Sequence, residues 1–235
     1  MKEKKNKNIK KEIILSVRNL SKNYRDYDKY LEVLKGLNLD IYKGEIIAIT
    51  GPSGSGKTTF LNCISTIDSF DDGEVIFDGK NISSMSEKEK NKFRSYNMGF
   101  VFQNYNLISV LSALENVQLS LSNKKEHLLN SIQISKEILE KVGLGDRLHN
   151  KPDQLSGGEK QRVAIARALV HKPKIVFADE PTGNLDSKSS EDIMNLILQM
   201  NQEYGVTFVI VTHNSMVASK AHRVFRLKNG KLEKV

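Results

Sequence analysis

Apolar and polar positions alternate along IILSV (13–17) and LEVLKGLNLDI (31–41), the period-two pattern of half-buried strands, here expected to pair antiparallel. Lys43-Gly44 then turns the chain into Glu45 to Thr50, EIIAIT, a continuous apolar run suited to a strand buried on both faces. That strand enters a glycine-rich loop, and Lys57 to Ile67 follows as a helix. Asp71-Asp72-Gly73 turns into a further strand, EVIFDG. Ser86-Glu87-Lys88-Glu89 has capping-box spacing and opens a short helix to about Arg94. GFVFQ (99–103) is a buried strand ending on Gln103, and Ser112-Ala113-Leu114-Glu115 is a second capping box.

From Glu126 to Val142, apolar residues at 128, 129, 132, 138, 139 and 142 predict an amphipathic helix that Gly143 ends. A further helix runs from Ser156 to about His171, followed by a strand over Lys174–Asp179. Asp186 caps a helix to about Tyr204, Val206 to Thr212 is another strand, and Asn229-Gly230 turns a terminal hairpin. Strands alternating with helices argue for an α/β fold with a mostly parallel sheet covered on both faces. The N-terminal strands are expected as an antiparallel β subdomain at its edge. Residues 104–172, poor in strand signal, are expected as a helical subdomain. At 235 residues this is one domain spanning 13–235, behind a disordered basic tail at 1–12.

Composition narrows the class. With 39% hydrophobic and 27% charged residues, the balance is that of a soluble protein. No run reaches the roughly 18–20 apolar residues of a bilayer span. MKEKKNKNIKKE lacks the apolar core of a secretory signal. The net charge of +8 could suggest nucleic acid, but residues 1–12, with six Lys and two Glu, carry +4 of it. No nucleic-acid partner is therefore expected; the tail is either simply solvated or weakly drawn to anionic lipid. The single Cys63 excludes an internal disulfide and suits a reducing compartment.

Two motifs carry chemistry. Gly51-Pro52-Ser53-Gly54-Ser55-Gly56-Lys57-Thr58 meets the pattern of a phosphate-binding loop, between a buried strand and a helix as that motif requires. Its backbone N–H groups, from Gly51, Ser53, Gly54, Ser55 and Gly56 on to Thr59, are free to converge on phosphate oxygens at a helix N-terminus. Lys57 is placed to reach the β- and γ-phosphates, and the Thr58 hydroxyl to ligate Mg²⁺. Ile175 to Ala178 is apolar and delivers two carboxylates. Asp179 is placed to hold Mg²⁺, and Glu180 to polarise an attacking water. These residues describe a P-loop ATPase using ATP and Mg²⁺.

A third run, Leu155 to Gln161 (LSGGEKQ), stands about a hundred residues downstream of the loop. With Gln103, Pro181 to Asp186 (PTGNLD), His213 after the strand VTFVIVT, and an aromatic residue upstream of the loop, the chain resembles the ATP-binding cassette proteins from about Ser16 to Leu232. The resemblance implies that Tyr24 stacks on adenine, with Tyr27 and Tyr30 as nearby alternatives. It implies that Gln103 contacts Mg²⁺ and the lytic water, and that His213 bonds the γ-phosphate and orients that water. Ser156, Gly157 and Gly158 would close over the nucleotide of a second copy, and Asn184 to Asp186 would line the seam of that homodimer.

The same resemblance implies a separate integral-membrane permease, holding this chain at the cytoplasmic face of the membrane. The apolar segment Asn104 to Leu111 would either receive that permease or pack locally. GPSGSGKTT, FVFQNYNLI, ALENV and PTGNLDS look like the branch that serves lipoprotein release, macrolide and peptide export and antimicrobial-peptide resistance. A cassette-type ATPase that regulates cell division or envelope signalling is the alternative. Chromosome-maintenance ATPases insert a long coiled coil between loop and LSGG run, and none is present.

Overall fold

Two sheets and seven helices make up the computed structural model, which describes residues 12–26, 29–122 and 130–235. In chain order the elements begin with β1 (Ile13–Asp26), β2 (Lys29–Tyr42), β3 (Ile46–Thr50), α1 (Lys57–Ile64), β4 (Asp72–Phe77) and β5 (Lys80–Asn81). Next come α2 (Glu87–Asn97), β6 (Met98–Val101), α3 (Ala113–Gln118), α4 (Ser131–Lys141) and α5 (Gly157–Leu169). The chain finishes with β7 (Ile175–Asp179), α6 (Ser187–Tyr204), β8 (Thr207–Val211), α7 (Ser215–Ser219), β9 (Arg223–Lys228) and β10 (Lys231–Lys234).

The six-stranded sheet has the order β10-β9-β3-β8-β7-β6 and is parallel except for β10. The central strands are apolar apart from Thr50, Asp179 and Thr207 at their ends, as suits coverage of both faces, and successive side chains point to opposite sides. Val176, Ala178, Phe208 and Ile210 join the core formed with α3, α4, α5 and α6. Ile175, Phe177, Val209 and Val211 join a second core with α1 and the N-terminal strands. The pairings Ile49↔Val211, Asp179↔Val211 and Val101↔Ala178 bring the carboxyl ends of four strands to one edge. Ligands of open α/β sheets bind outside that edge.

The N-terminal strands are not an edge of this sheet. They form a four-stranded antiparallel sheet of their own, in the order β2-β1-β4-β5, laid across α1. β1 and β2 are long enough, at 14 residues each, to satisfy one another's backbone without borrowing an edge. Arg223 of β9 joins the two sheets: its Nε and Nη2 donate to Glu45 at 2.6 and 2.9 Å, and Nη2 also donates to the Asp40 carbonyl of β2.

Several boundaries move for local reasons. α1 stops at Ile64, because Thr66 adopts the left-handed region (φ 60°), where its carbonyl accepts from Arg94. β6 ends at Val101, so Gln103 lies two residues past the strand. α4 begins at Ser131, and the start of the helix expected from Glu126 lies outside the described residues, as do Tyr27 and the tail at 1–11. α7, N-capped by Asn214, carries no periodic signal strong enough to predict. Between β6 and β7 the described residues hold helices and no strand. Among the described residues no helix is long and apolar enough to cross a membrane. Cys63 is fully buried in α1, and burial pushes its thiol pKa up to about 12.

Candidate active site

A cleft of about 680 Å³ opens at the carboxyl edge of the parallel sheet, lined by residues of the 51–59 loop together with Gln103, Asp179, Glu180 and His213. β3 delivers the loop, and the turn of residues 51–56 leads into α1. Gly56 sits at φ 94°, and a Cβ there would lie 2.6 Å from Val33, so only glycine fits the approach of β2. The Lys57 ammonium is buried beneath the loop and donates to the carbonyls of Gly51 and Pro52 at 3.0 Å each. Ser53, Gly54 and Thr58 are exposed towards the cleft, with Ser55 and Thr59 partly covered.

Asp179 ends β7 facing Thr58. Burial raises its carboxyl pKa, the Thr58 hydroxyl and Lys57 oppose the rise, and the neighbouring Glu180 adds to it. Its Oδ1 is buried and has no hydrogen-bond partner among the described residues. An orphaned carboxylate oxygen beside a hydroxyl fits a hard divalent cation. No cluster of three or more His, Cys, Asp or Glu that could hold a metal occurs among the described residues. Such a cation would therefore take its remaining ligands from the Gln103 amide, substrate phosphates and water, the habit of Mg²⁺.

Glu180 is held in the left-handed region, at φ 46°, a conformation costing on the order of 1 kcal/mol and found at functional sites. Its N–H donates to the Val211 carbonyl at 2.9 Å. The carboxylate accepts from the Thr212 hydroxyl at 3.0 Å and from the His213 N–H at 3.0 Å, and meets His213 Nδ1 at 2.7 Å. Both neighbours directly follow β8, so the end of one strand aims the acid that follows the next. Thr212 escaped sequence reasoning; its signal is a hydroxyl directly before His213 at a strand end.

Gln103 lies across the cleft, tied to the PTGNLD segment: Asn184 Nδ2 donates to its carbonyl at 3.0 Å. A Cβ on Gly183 would stand 2.9 Å from the Gln103 amide nitrogen. Two further residues fix this region and were not anticipated. Arg167 of α5 donates to the carbonyls of Tyr105 and Asn106, both in the left-handed region, and burial lowers its pKa. The fully buried Asn116 of α3 binds the backbone of Ile108, Leu111 and Ser112. Leu107 packs on the helical core, whereas Ile108 and Val110 are exposed.

Ser156, Gly157 and Gly158 do not line this cleft. Ser156 N-caps α5 in a capping box with Glu159, whose carboxyl is held below the usual range chiefly by the Ser156 N–H and further by Arg147. Ser156 is exposed, and Gly157 lies close to Leu185 and Tyr105. Tyr24 stands outside the cleft lining as well, on β1, half-exposed, with its hydroxyl donating to Asp68 at 2.8 Å. Tyr30 is well exposed and lies beside Arg25.

The family description "ABC transporter" matches residues 34–183, more than half of the chain. The chain belongs to the ABC transporter family. It is an ABC-type ATPase, the ATP-binding subunit of a transporter. The lipoprotein-releasing system ATP-binding protein LolD of Francisella tularensis is 46% identical over 225 residues, covering 95% of this cassette and 97% of that protein. The macrolide export ATP-binding/permease protein MacB of Rhodopirellula baltica is 48% identical over 90% of this cassette, which spans 31% of that longer chain. Among solved structures, the dimeric post-hydrolysis state of the ATP-binding cassette MJ0796 bound to ADP and Pi superposes with a TM-score of 0.85. It is 42% identical, covering 94% of this cassette and 98% of that chain.

Proposed function

We propose that two copies of this chain sandwich two ATP·Mg²⁺ and drive a separate membrane permease of the lipoprotein-release and export type, from the cytoplasmic face of the membrane. One observation carries the two-copy reading: the exposed Ser156 and the partly exposed Gly157 and Gly158 open α5 but do not line the cleft of Lys57, Asp179 and Glu180. A nucleotide in that cleft reaches the LSGG run only on another molecule. The dimeric cassette with ADP and Pi supports the same arrangement.

Within each site the loop amides and Lys57 bind the phosphates, and Thr58, Asp179 and Gln103 would hold Mg²⁺, which when bound neutralises phosphate charge. Glu180 takes the proton of the attacking water, in a geometry set by Thr212 and His213. His213 stands at the mouth of the cleft to meet the γ-phosphate. Closure of the dimer supplies the stroke and hydrolysis resets it.

The permease docks at a groove of about 390 Å³ whose lining includes Arg94, Phe100, Phe102, Leu119, Arg167 and His171. Its two arginines also hold the turn after α1 and the segment after Gln103, which supports the reading that pressure there reaches the nucleotide. The test is sedimentation of the Glu180→Gln protein with and without ATP·Mg²⁺. A shift from monomer to dimer on adding nucleotide is expected; a persistent monomer overturns the sandwich.

A further inference from the structure

Lys22 is a charged side chain buried in β1, with the residue only 7% exposed. Its ammonium donates to the Ser69 carbonyl at 2.7 Å and pairs with Asp68 Oδ1 at 3.4 Å. It also stands 4.9 Å from the centroid of the Tyr24 ring. Lys22 and Tyr24 are two apart on one strand and so share a face. Asp68 completes a triangle, because its Oδ2 accepts the Tyr24 hydroxyl at 2.8 Å while its Oδ1 takes the Ser69 N–H. The Asp68 N–H donates to the Asn62 carbonyl of α1, and the Thr59 side chain, near the start of the same helix, hydrogen-bonds Tyr24. The ring is thus bound at its rim and over one face, yet Tyr24 remains 40% exposed.

A buried ammonium is costly unless its neighbours repay it, and here an aromatic face, a carboxylate and a carbonyl do so together. The cation draws π density to the covered face and leaves the other to stack on an electron-rich ring. Apart from Lys22 of β1, every anchor belongs to α1 or the turn after it, the helix whose first residues follow the glycine-rich loop. The ring is therefore at a set distance from the phosphate site.

We propose that Lys22 and Asp68 are positioning residues that hold Tyr24 as a stacking platform for the nucleotide base. This rests on the reading of Tyr24 as the base-stacking residue. Stacking of this kind has no donor or acceptor that reads the edge of the base, so adenine and guanine are held alike.

The test is calorimetric binding of ADP, GDP and pyrophosphate to the full chain. Lys22→Met is expected to weaken ADP and GDP about tenfold and leave pyrophosphate unchanged. Lys22→Arg, which keeps the cation, should restore most of the loss. The double variant with Tyr24→Ala should bind ADP no more weakly than Tyr24→Ala alone. Asp68→Asn, at a more exposed position, provides a second variant less able to disturb folding, and a loss confined to ADP and GDP is expected there too. Equal loss of pyrophosphate, or losses that multiply in the double variant, would overturn the positioning role. An unchanged ADP affinity in Tyr24→Ala removes the base-stacking reading itself, a result distinct from either.

Discussion

His213 Nδ1 lies 2.7 Å from Glu180 Oε1, and the His213 backbone N–H reaches the same oxygen at 3.0 Å. The Nδ1 contact needs a proton on that nitrogen, because a carboxylate oxygen only accepts. Glu180 stays an acceptor, as a general base must. Replacing Glu180 by Gln removes the proposed base and should lower phosphate release by roughly 10²–10⁴ while ATP still binds. Steady-state phosphate release beside nucleotide titration measures both.

Thr212 is fully buried and does not line the cleft, so its effect is exerted through the carboxylate it holds. Thr212→Val should cut kcat about ten- to a hundredfold, the scale of one hydrogen bond to a charged group, with KM for ATP nearly constant. A matching rise in KM would place Thr212 in binding instead.

Asp179 carries a buried oxygen without a partner, and burial raises its pKa. The charged form therefore weighs against the nucleotide-free fold. Asp179→Asn should raise the melting temperature of the metal-free protein by a few degrees and abolish the further rise that ATP·Mg²⁺ gives the parent. Differential scanning calorimetry with and without ligand separates the two effects.

Arg167 clamps two left-handed residues just beyond Gln103. Arg167→Met frees those carbonyls and should lower kcat about tenfold at unchanged ADP affinity, with Arg167→Lys intermediate. Basal turnover and ADP titration on the three proteins decide it.

Asn116 is fully buried and satisfies four backbone groups from Ile108 to Ser112. Leu is close in size but cannot bond them, so Asn116→Leu should cost about 2–4 kcal/mol in urea unfolding. The loss is expected in stability, with the phosphate loop still able to bind pyrophosphate.

What the sequence revealed follows from the range of each interaction. Continuous apolar runs such as Ile46–Ile49 and Ile175–Ala178 announce buried parallel strands, and capping boxes at Ser86, Ser112 and Ser156 announce helix starts, all within a few residues. The loop from Gly51 to Thr59 and the Asp179–Glu180 pair are equally local, and the cleft unites them with Gln103 and His213. Arg167 and Asn116 act through backbone carbonyls, which no side-chain pattern marks. Lys22 and Asp68 are 46 residues apart and meet only because β1 crosses α1. The separate N-terminal sheet was hidden for a similar reason, since alternation identifies strands but not their neighbours.

Cys63 has a consequence for watching the chain at work. It is fully buried, and its thiol, raised to about 12, remains protonated at neutral pH, where only the thiolate reacts. The chain's single native sulfhydryl is thus chemically silent towards maleimides and spin labels. A reporter cysteine placed at an exposed position, on either side of the expected seam, would take the label alone. Distances between two copies could then be followed through a turnover cycle in otherwise unaltered protein.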